Sequence, residues 1–196
     1  MSTTSSTSSQ TVVGEEAEAP PAPEALFNAT LAEREDLHDE LAVFRIKPDA
    51  GVPEFKPGQF ATIGLPKGAD DTPTTAAAAK RNPASRLLRR AYSIASAPST
   101  REHLELFVVR VEDGRFTPKL WHLSPGDRLF VDPRIKGHFS LDPVPPGKDL
   151  IMVSTGTGLA PYIAMLREFR GTGRWRRFVV IHGARLLQDL AYADEL

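Results

Sequence analysis

Leu150-Ile151-Met152-Val153, then Ser154-Thr155-Gly156-Thr157-Gly158, then the helical periodicity of Leu159 to Phe169: this stretch decides the fold. A short, continuously apolar run is the pattern of a strand covered on both faces. The small-residue loop after it leads straight into a helix. A second strand, Arg177-Phe178-Val179-Val180-Ile181-His182-Gly183, follows after the Gly171-Thr172-Gly173 turn. Strand, glycine loop, helix, strand is the opening of a parallel βαβ unit of the dinucleotide-binding type.

Immediately upstream, Pro143-Val144-Pro145-Pro146-Gly147 can sustain neither a ladder nor a helix and marks a boundary. Ahead of it the pattern belongs to another class. Ala29–Arg34 and Glu40–Lys47 read as two strands joined by a polar turn at Asp36-Leu37-His38-Asp39, close enough to be antiparallel. Phe55 to Leu65 is a Pro57-Gly58 turn feeding a third strand. Arg90 to Ser96 and Leu104 to Val111 supply two more; Pro125-Gly126-Asp127 then turns into Arg128 to Asp132, and Gly137 to Leu141 closes the barrel as its sixth and last strand. The expected architecture is a two-domain one: a six-stranded antiparallel β-barrel over 25–143, then the beginning of an α/β domain with a parallel sheet over 148–196. Residues 1–24, rich in Ser, Thr, Glu, Ala and Pro, have little to bury and are expected to be a disordered tail. Lys67–Leu88 interrupts the barrel as a low-complexity insertion, expected as a surface loop, with a short helix over Thr75–Lys80 as the alternative.

Composition excludes several classes. Lys and Arg number 24 against 25 Asp and Glu, for a formal charge of -1, which argues against binding nucleic acid by bulk electrostatics. With no cysteine, the chain can hold neither disulfides nor thiolate-bound iron–sulfur clusters. No apolar run approaches the roughly 20 residues that span a bilayer. Met1–Gln10 lacks the basic start and apolar core of a secretory signal. A cytoplasmic location is expected.

Chemistry concentrates first at Arg90-Ala91-Tyr92-Ser93. Residues two apart on a strand share a face, so Arg90 and Tyr92 point one way and Ser93 the other. A planar cofactor bearing phosphates could use the guanidinium, the ring and the hydroxyl together, although an ordinary strand beside a basic cluster gives the same pattern. The second concentration is Gly114-Arg115-Phe116-Thr117-Pro118. Thr117 stands before a proline suited to a first helical turn and is expected to be an N-cap, with free backbone N–H groups beside it for a diphosphate.

In their order these segments resemble the ferredoxin–NADP(+) reductase family, most closely its bacterial, FAD-containing branch. Arg90-Ala91-Tyr92-Ser93 is similar to the family's RxYS flavin motif, Gly114-Arg115-Phe116-Thr117 to its GxxS/T diphosphate motif, and Thr155-Gly156-Thr157-Gly158-Leu159-Ala160-Pro161 to its TGTGxAP loop. Pro57-Gly58-Gln59-Phe60 precedes all three. The resemblance runs from about Ala25 to Leu196 and omits the tail and the insertion.

The resemblance implies FAD and NADP(H) as cofactors, with no metal. Arg90 would bind the FAD diphosphate, with Ala91 beside it among the FAD-binding residues, Tyr92 would pack on the isoalloxazine, and Ser93 would hydrogen-bond near its N5. Gly114, Arg115, Phe116 and Thr117 would take the other side of the diphosphate. Phe107 or Val109 would lie near the adenine or the ribityl chain, or serve core packing. Thr155, Gly156, Thr157 and Gly158 would form the NADP loop, with Thr157 touching both cofactors. Arg185 matches the position that reads the 2′-phosphate, favouring NADP over NAD. His182 reads as a packing residue at a strand end.

The activity implied is electron transfer between NADP(H) and ferredoxin or flavodoxin through FAD. No membrane span and no nucleic acid are involved, and the expected state is a monomer. Arg86, Arg89, Arg115 and Lys119 are the candidate docking patch for an acidic partner. Two alternatives share the pattern: the reductase component of an oxygenase, and a regulatory subunit that binds the cofactor without turnover. The family's further β/α units and C-terminal aromatic tail have no counterpart here. The chain stops at Ala191–Leu196, expected to fall within the helix after the second parallel strand, and reads as a truncated sequence.

Overall fold

The computed structural model describes residues 22–68, 71–72 and 74–196. Residues 1–21 of the expected tail lie outside that range, while Pro23–Leu26 forms a 3-10 turn. Strands β1 (Ala29–His38) and β2 (Leu41–Pro48) make the expected hairpin, β1 running four residues beyond its expected end and β2 shifted by one residue. β3 (Phe60–Pro66), β4 (Leu87–Ser93), β5 (Leu104–Val109) and β6 (Arg128–Val131) complete one antiparallel sheet in the order β4-β3-β6-β1-β2-β5. An isolated bridge from Ile94 to Leu106 brings the two ends together, so the sheet closes as a barrel. Its interior is filled by Leu31, Phe44, Ile46, Ile63, Leu104, Leu106 and Leu129, all fully buried.

The sixth strand is therefore Arg128–Val131, and the expected strand over Gly137–Leu141 does not form. β6 already pairs with both β1 and β3. Phe60 and Lys136 exchange both backbone hydrogen bonds (2.8 and 3.2 Å), and Gly137 then turns the chain away. The loop beyond it packs on the second unit instead, Phe139 against Tyr162 with centroids 5.8 Å apart.

The insertion holds more order than a surface loop. Thr75 accepts from Ala78 N and caps helix α1 (Ala76–Arg81), and Pro83–Arg86 follows as a 3-10 turn leading into β4 at Leu87. Lys67 Nζ donates to Thr72 O and Thr74 Oγ1, and Thr74 Oγ1 donates to Ser85 O, which closes the segment on itself.

β7 (Asp149–Thr155) and β8 (Arg177–Gly183) pair in parallel, joined through a 3-10 turn at Gly156–Leu159 and helix α3 (Ala160–Phe169). α3 buries Ile163, Ala164 and Met165, while the opposite face of the sheet leaves Ile151, Val153, Val179 and Ile181 exposed. The expected helix after β8 is absent: Leu187–Asp189 is a 3-10 turn and the chain continues in turns to Leu196. Tyr192, in a left-handed conformation (φ 62°), sets its ring edge-on to Phe107 at 5.4 Å. Tertiary contact has overridden local helical preference there.

The two units share a second core. Leu41, Val43, Ala95 and Phe107 of the barrel pack with Leu159, Ala160, Ile163 and Ala191. At its edge lies Glu105, 3% exposed, within 3.0 Å of Arg45 Nε, 2.7 Å of Arg167 Nη1 and 3.0 Å of the Tyr192 hydroxyl. Arg167 also holds the Glu195 carboxylate with both Nε and Nη2. A carboxylate of β5 thus ties α3 and the C-terminal turns to the barrel.

Candidate functional site

Two cavities lie along the seam between the units. The first, about 300 Å³, is lined by Arg90, Tyr92, Phe107, Val108, Val109, Val111, Gly114, Arg115, Phe116, Thr117 and Thr157. Sequence spacing alone separates these residues by as many as 67 positions; the fold gathers them because β4 and β5 meet where the barrel closes. Tyr92 packs against the Phe116 ring at 5.9 Å, and burial pushes its hydroxyl up to about 12, so it stays neutral at physiological pH. Arg90 is exposed, donates to Arg89 O at 2.9 Å and has no carboxylate partner among the described residues. Ala91 and Ser93 alternate away from Arg90 and Tyr92 and stand outside the lining.

The loop before α2 (Thr117–Trp121) is shaped differently from the sequence expectation. Phe116 occupies the N-cap position, and Thr117 is the first residue of the helix. The Thr117 hydroxyl instead accepts from Val111 N (2.9 Å) and donates to Val111 O (3.1 Å), closing the turn in which Gly114 sits. With five residues α2 is too short for a sizeable macrodipole, so the argument from a helix N-terminus does not apply. A Cβ at Gly114 would lie 2.8 Å from Val111 O and 3.2 Å from Thr117 Oγ1, filling the cradle. Gly114→Ala is expected to cost about 1–3 kcal/mol through overpacking. Urea unfolding measures it, and an unchanged midpoint would contradict the close approach.

Arg115 pairs with Asp71 of the insertion, and Arg89 with Asp132 at 3.2 Å. Asp71 is held below the usual carboxylate range by the Gly68 N–H first and by Arg115 beside it. Two members of the expected basic patch are thus engaged within the chain.

The second cavity, about 720 Å³, is lined among others by His38, Glu40, Leu41, Val109, Thr155, Gly156, Thr157 and Arg185. Gly158 lies in the same turn but outside the lining. Arg185 is exposed and has no carboxylate partner among the described residues. His182, at the end of β8, places Nδ1 3.1 Å from Ser154 Oγ, and burial lowers its pKa, in keeping with a packing role. Val109 and Thr157 line both cavities, so the two are neighbours there. Sequence reasoning missed His38 and Asp189, which meet at 3.0 Å in the wall of the second cavity. No pattern marks them, since one sits in a polar hairpin turn and the other in a segment expected to be helical.

A barrel whose closing strands present a cation, a ring and a glycine cradle, set against a parallel βαβ unit, defines a class. A family model described as the oxidoreductase FAD-binding domain matches residues 28–139, more than half of the chain, which therefore belongs to that family. A second model, the oxidoreductase NAD-binding domain, matches residues 152–196.

Within this class the chain is related to the ferredoxin–NADP reductases. It is 39% identical over 157 residues to the ferredoxin–NADP reductase of Pseudomonas aeruginosa, covering 80% of this chain and 54% of that protein. The ferredoxin–NADP reductase of Azotobacter vinelandii is 41% identical over 138 residues, 70% of this chain and 47% of that protein. The chain thus spans about half the length of the curated relatives it matches. Among solved structures, a ferredoxin NADP+ reductase from Neisseria gonorrhoeae with bound FAD and NADP superposes with a TM-score of 0.72 at 26% identity, over 87% of this chain and 63% of that one.

Proposed function

We propose that this chain binds FAD in the first cavity and NADP(H) in the second, and carries electrons between NADP(H) and a ferredoxin or flavodoxin. The observation that supports this reading most is that Thr157 and Val109 belong to both linings, which sets a ligand in one cavity beside a ligand in the other. The lining fits FAD. Arg90, free of any carboxylate among the described residues, offers a guanidinium to a diphosphate. The Tyr92 ring offers an apolar face to the isoalloxazine, and the Gly114 turn leaves the space a side chain would fill. We assign the two roles to residues 25–143 and 148–196.

Bound FAD would supply the redox chemistry, taking a hydride from NADPH and releasing the electrons singly. The protein's own residues bind and orient. Arg90 and the turn from Gly114 to Thr117 hold the diphosphate, with Arg115 fixed on the rim by Asp71. Tyr92 lies along the flavin, with Phe107 and Val109 beyond it; Ser93, whose side chain faces away from this lining, reaches the flavin only through its backbone. Thr155, Gly156, Thr157 and Gly158 shape the nicotinamide loop, and Arg185 takes the 2′-phosphate of NADP. No acid, base or metal of the protein is needed for these roles. Arg86 and Lys119 remain the docking candidates for an acidic partner.

Arg90→Ala is expected to weaken FAD binding about 10- to 100-fold, the value of a hydrogen bond to a charged group, while leaving the fold intact. FAD fluorescence quenching measures it. Unchanged affinity in a folded variant would move the diphosphate elsewhere.

A further inference from the structure

We infer that His38 and Asp189 form a positioning pair that holds Arg185 ready for the 2′-phosphate of the nucleotide, an inference that rests on the NADP(H) reading of the second cavity. His38 closes the β1–β2 hairpin, and its Nδ1 accepts from Glu40 N at 3.2 Å. Nε2 therefore carries the ring proton and donates to Asp189 Oδ1 at 3.0 Å. The other oxygen, Asp189 Oδ2, accepts from Leu186 N at 3.0 Å, the peptide nitrogen directly after Arg185. One carboxylate thus fastens the turn that follows Arg185 and, through His38, moors that turn to the barrel. Both side chains are about four-fifths covered, at 21% and 23% exposure. His38, Arg185, Leu186 and Asp189 all line the same cavity.

The pair has an electrostatic consequence as well. Arg185 has no carboxylate partner among the described residues, although Asp189 is four positions away on the same cavity wall. With both its oxygens engaged by N–H donors, Asp189 is held from closing on Arg185. Without His38 the freed oxygen would be left to compete for the guanidinium and to repel an incoming phosphate.

The test uses the whole chain reconstituted with FAD and titrated calorimetrically with NADP+ and with NAD+. His38→Ala is expected to weaken NADP+ about tenfold and NAD+ less than about threefold, the scale of one hydrogen bond beside a charge. His38→Gln, whose amide keeps a donor, should recover most of the loss. In an Arg185→Ala background the same His38→Ala change should have no further effect, because the pair acts through Arg185. Asp189→Asn, which can keep only one of the two acceptors, serves as the second variant and should lose NADP+ selectively. His38→Ala with native circular dichroism and wild-type NADP+ affinity would overturn the inference, as would equal losses for both nucleotides in both backgrounds. Arg185→Ala binding NADP+ like the wild type would overturn the NADP(H) reading itself and the pair's role with it.

Discussion

Glu105→Ala is expected to lower the free energy of unfolding by about 3–5 kcal/mol, the usual consequence of removing one partner from a buried ionic group. The carboxylate is 3% exposed and stands between Arg45 of β2 and Arg167 of α3, with the Tyr192 hydroxyl donating to the same oxygen as Arg167. Removing it leaves two partly buried guanidinium groups facing each other, Arg45 with only Glu33 and Glu35 and Arg167 with only Glu195 to balance them. Burial alone would raise the pKa of this carboxyl, but Arg167 and then Arg45 outweigh it and hold the group below its ordinary 4.5. A depressed folded-state pKa adds stability that is complete above the unfolded value and is lost as pH falls through the folded one. Urea unfolding should therefore show the gap between wild type and Glu105→Gln wide at neutral pH and closing in acid, below about pH 4. A gap independent of pH would remove the ionic argument.

Gly58→Ala is expected to be nearly as damaging, at about 3 kcal/mol, from backbone strain added to overpacking. Gly58 adopts φ +97°, and a Cβ there would fall on the carbonyl of Phe139 and 2.8 Å from the Met165 methyl. Met165 is fully buried in α3, so the Pro57-Gly58 turn is where the barrel, the 137–141 loop and the second unit meet. Gly51 is the control. It has φ +83° with nothing within 4 Å of an added Cβ, so Gly51→Ala should lose only the strain contribution. Equal shifts in the two unfolding midpoints would show that the crowding at Gly58 is relieved without cost.

What the sequence made legible was whatever a single element or a short motif encodes. The apolar run at Leu150–Val153, the glycine loop and the second run at Arg177–Gly183 gave the parallel pair, and the family resemblance gathered in advance nine residues that line the first cavity. What stayed hidden depends on contacts between distant elements. Leu104-Glu105-Leu106 alternates as if Glu105 faced water, yet α3 and the C-terminal turns cover that outer face. Thr117 looked like a cap because a proline follows it, but its hydroxyl found both backbone groups of Val111 first. Gly137–Leu141 alternates like a strand and has no free sheet edge to join. Ala191-Tyr192 reads as helix and is drawn instead into the seam by Phe107 and Glu105. The His38–Asp189 contact spans 151 positions, and no local pattern encodes it.

The electron path we propose runs between two cavities that share Thr157 and Val109, one assigned to FAD and one to NADP(H). Its most direct test is anaerobic mixing of the FAD-loaded chain with NADPH while the flavin absorbance near 450 nm is followed. NADPH is expected to bleach that band, and the Arg185→Ala variant should need about tenfold more NADPH for the same rate. A chain that takes up FAD but keeps its absorbance unchanged under excess NADPH would contradict it.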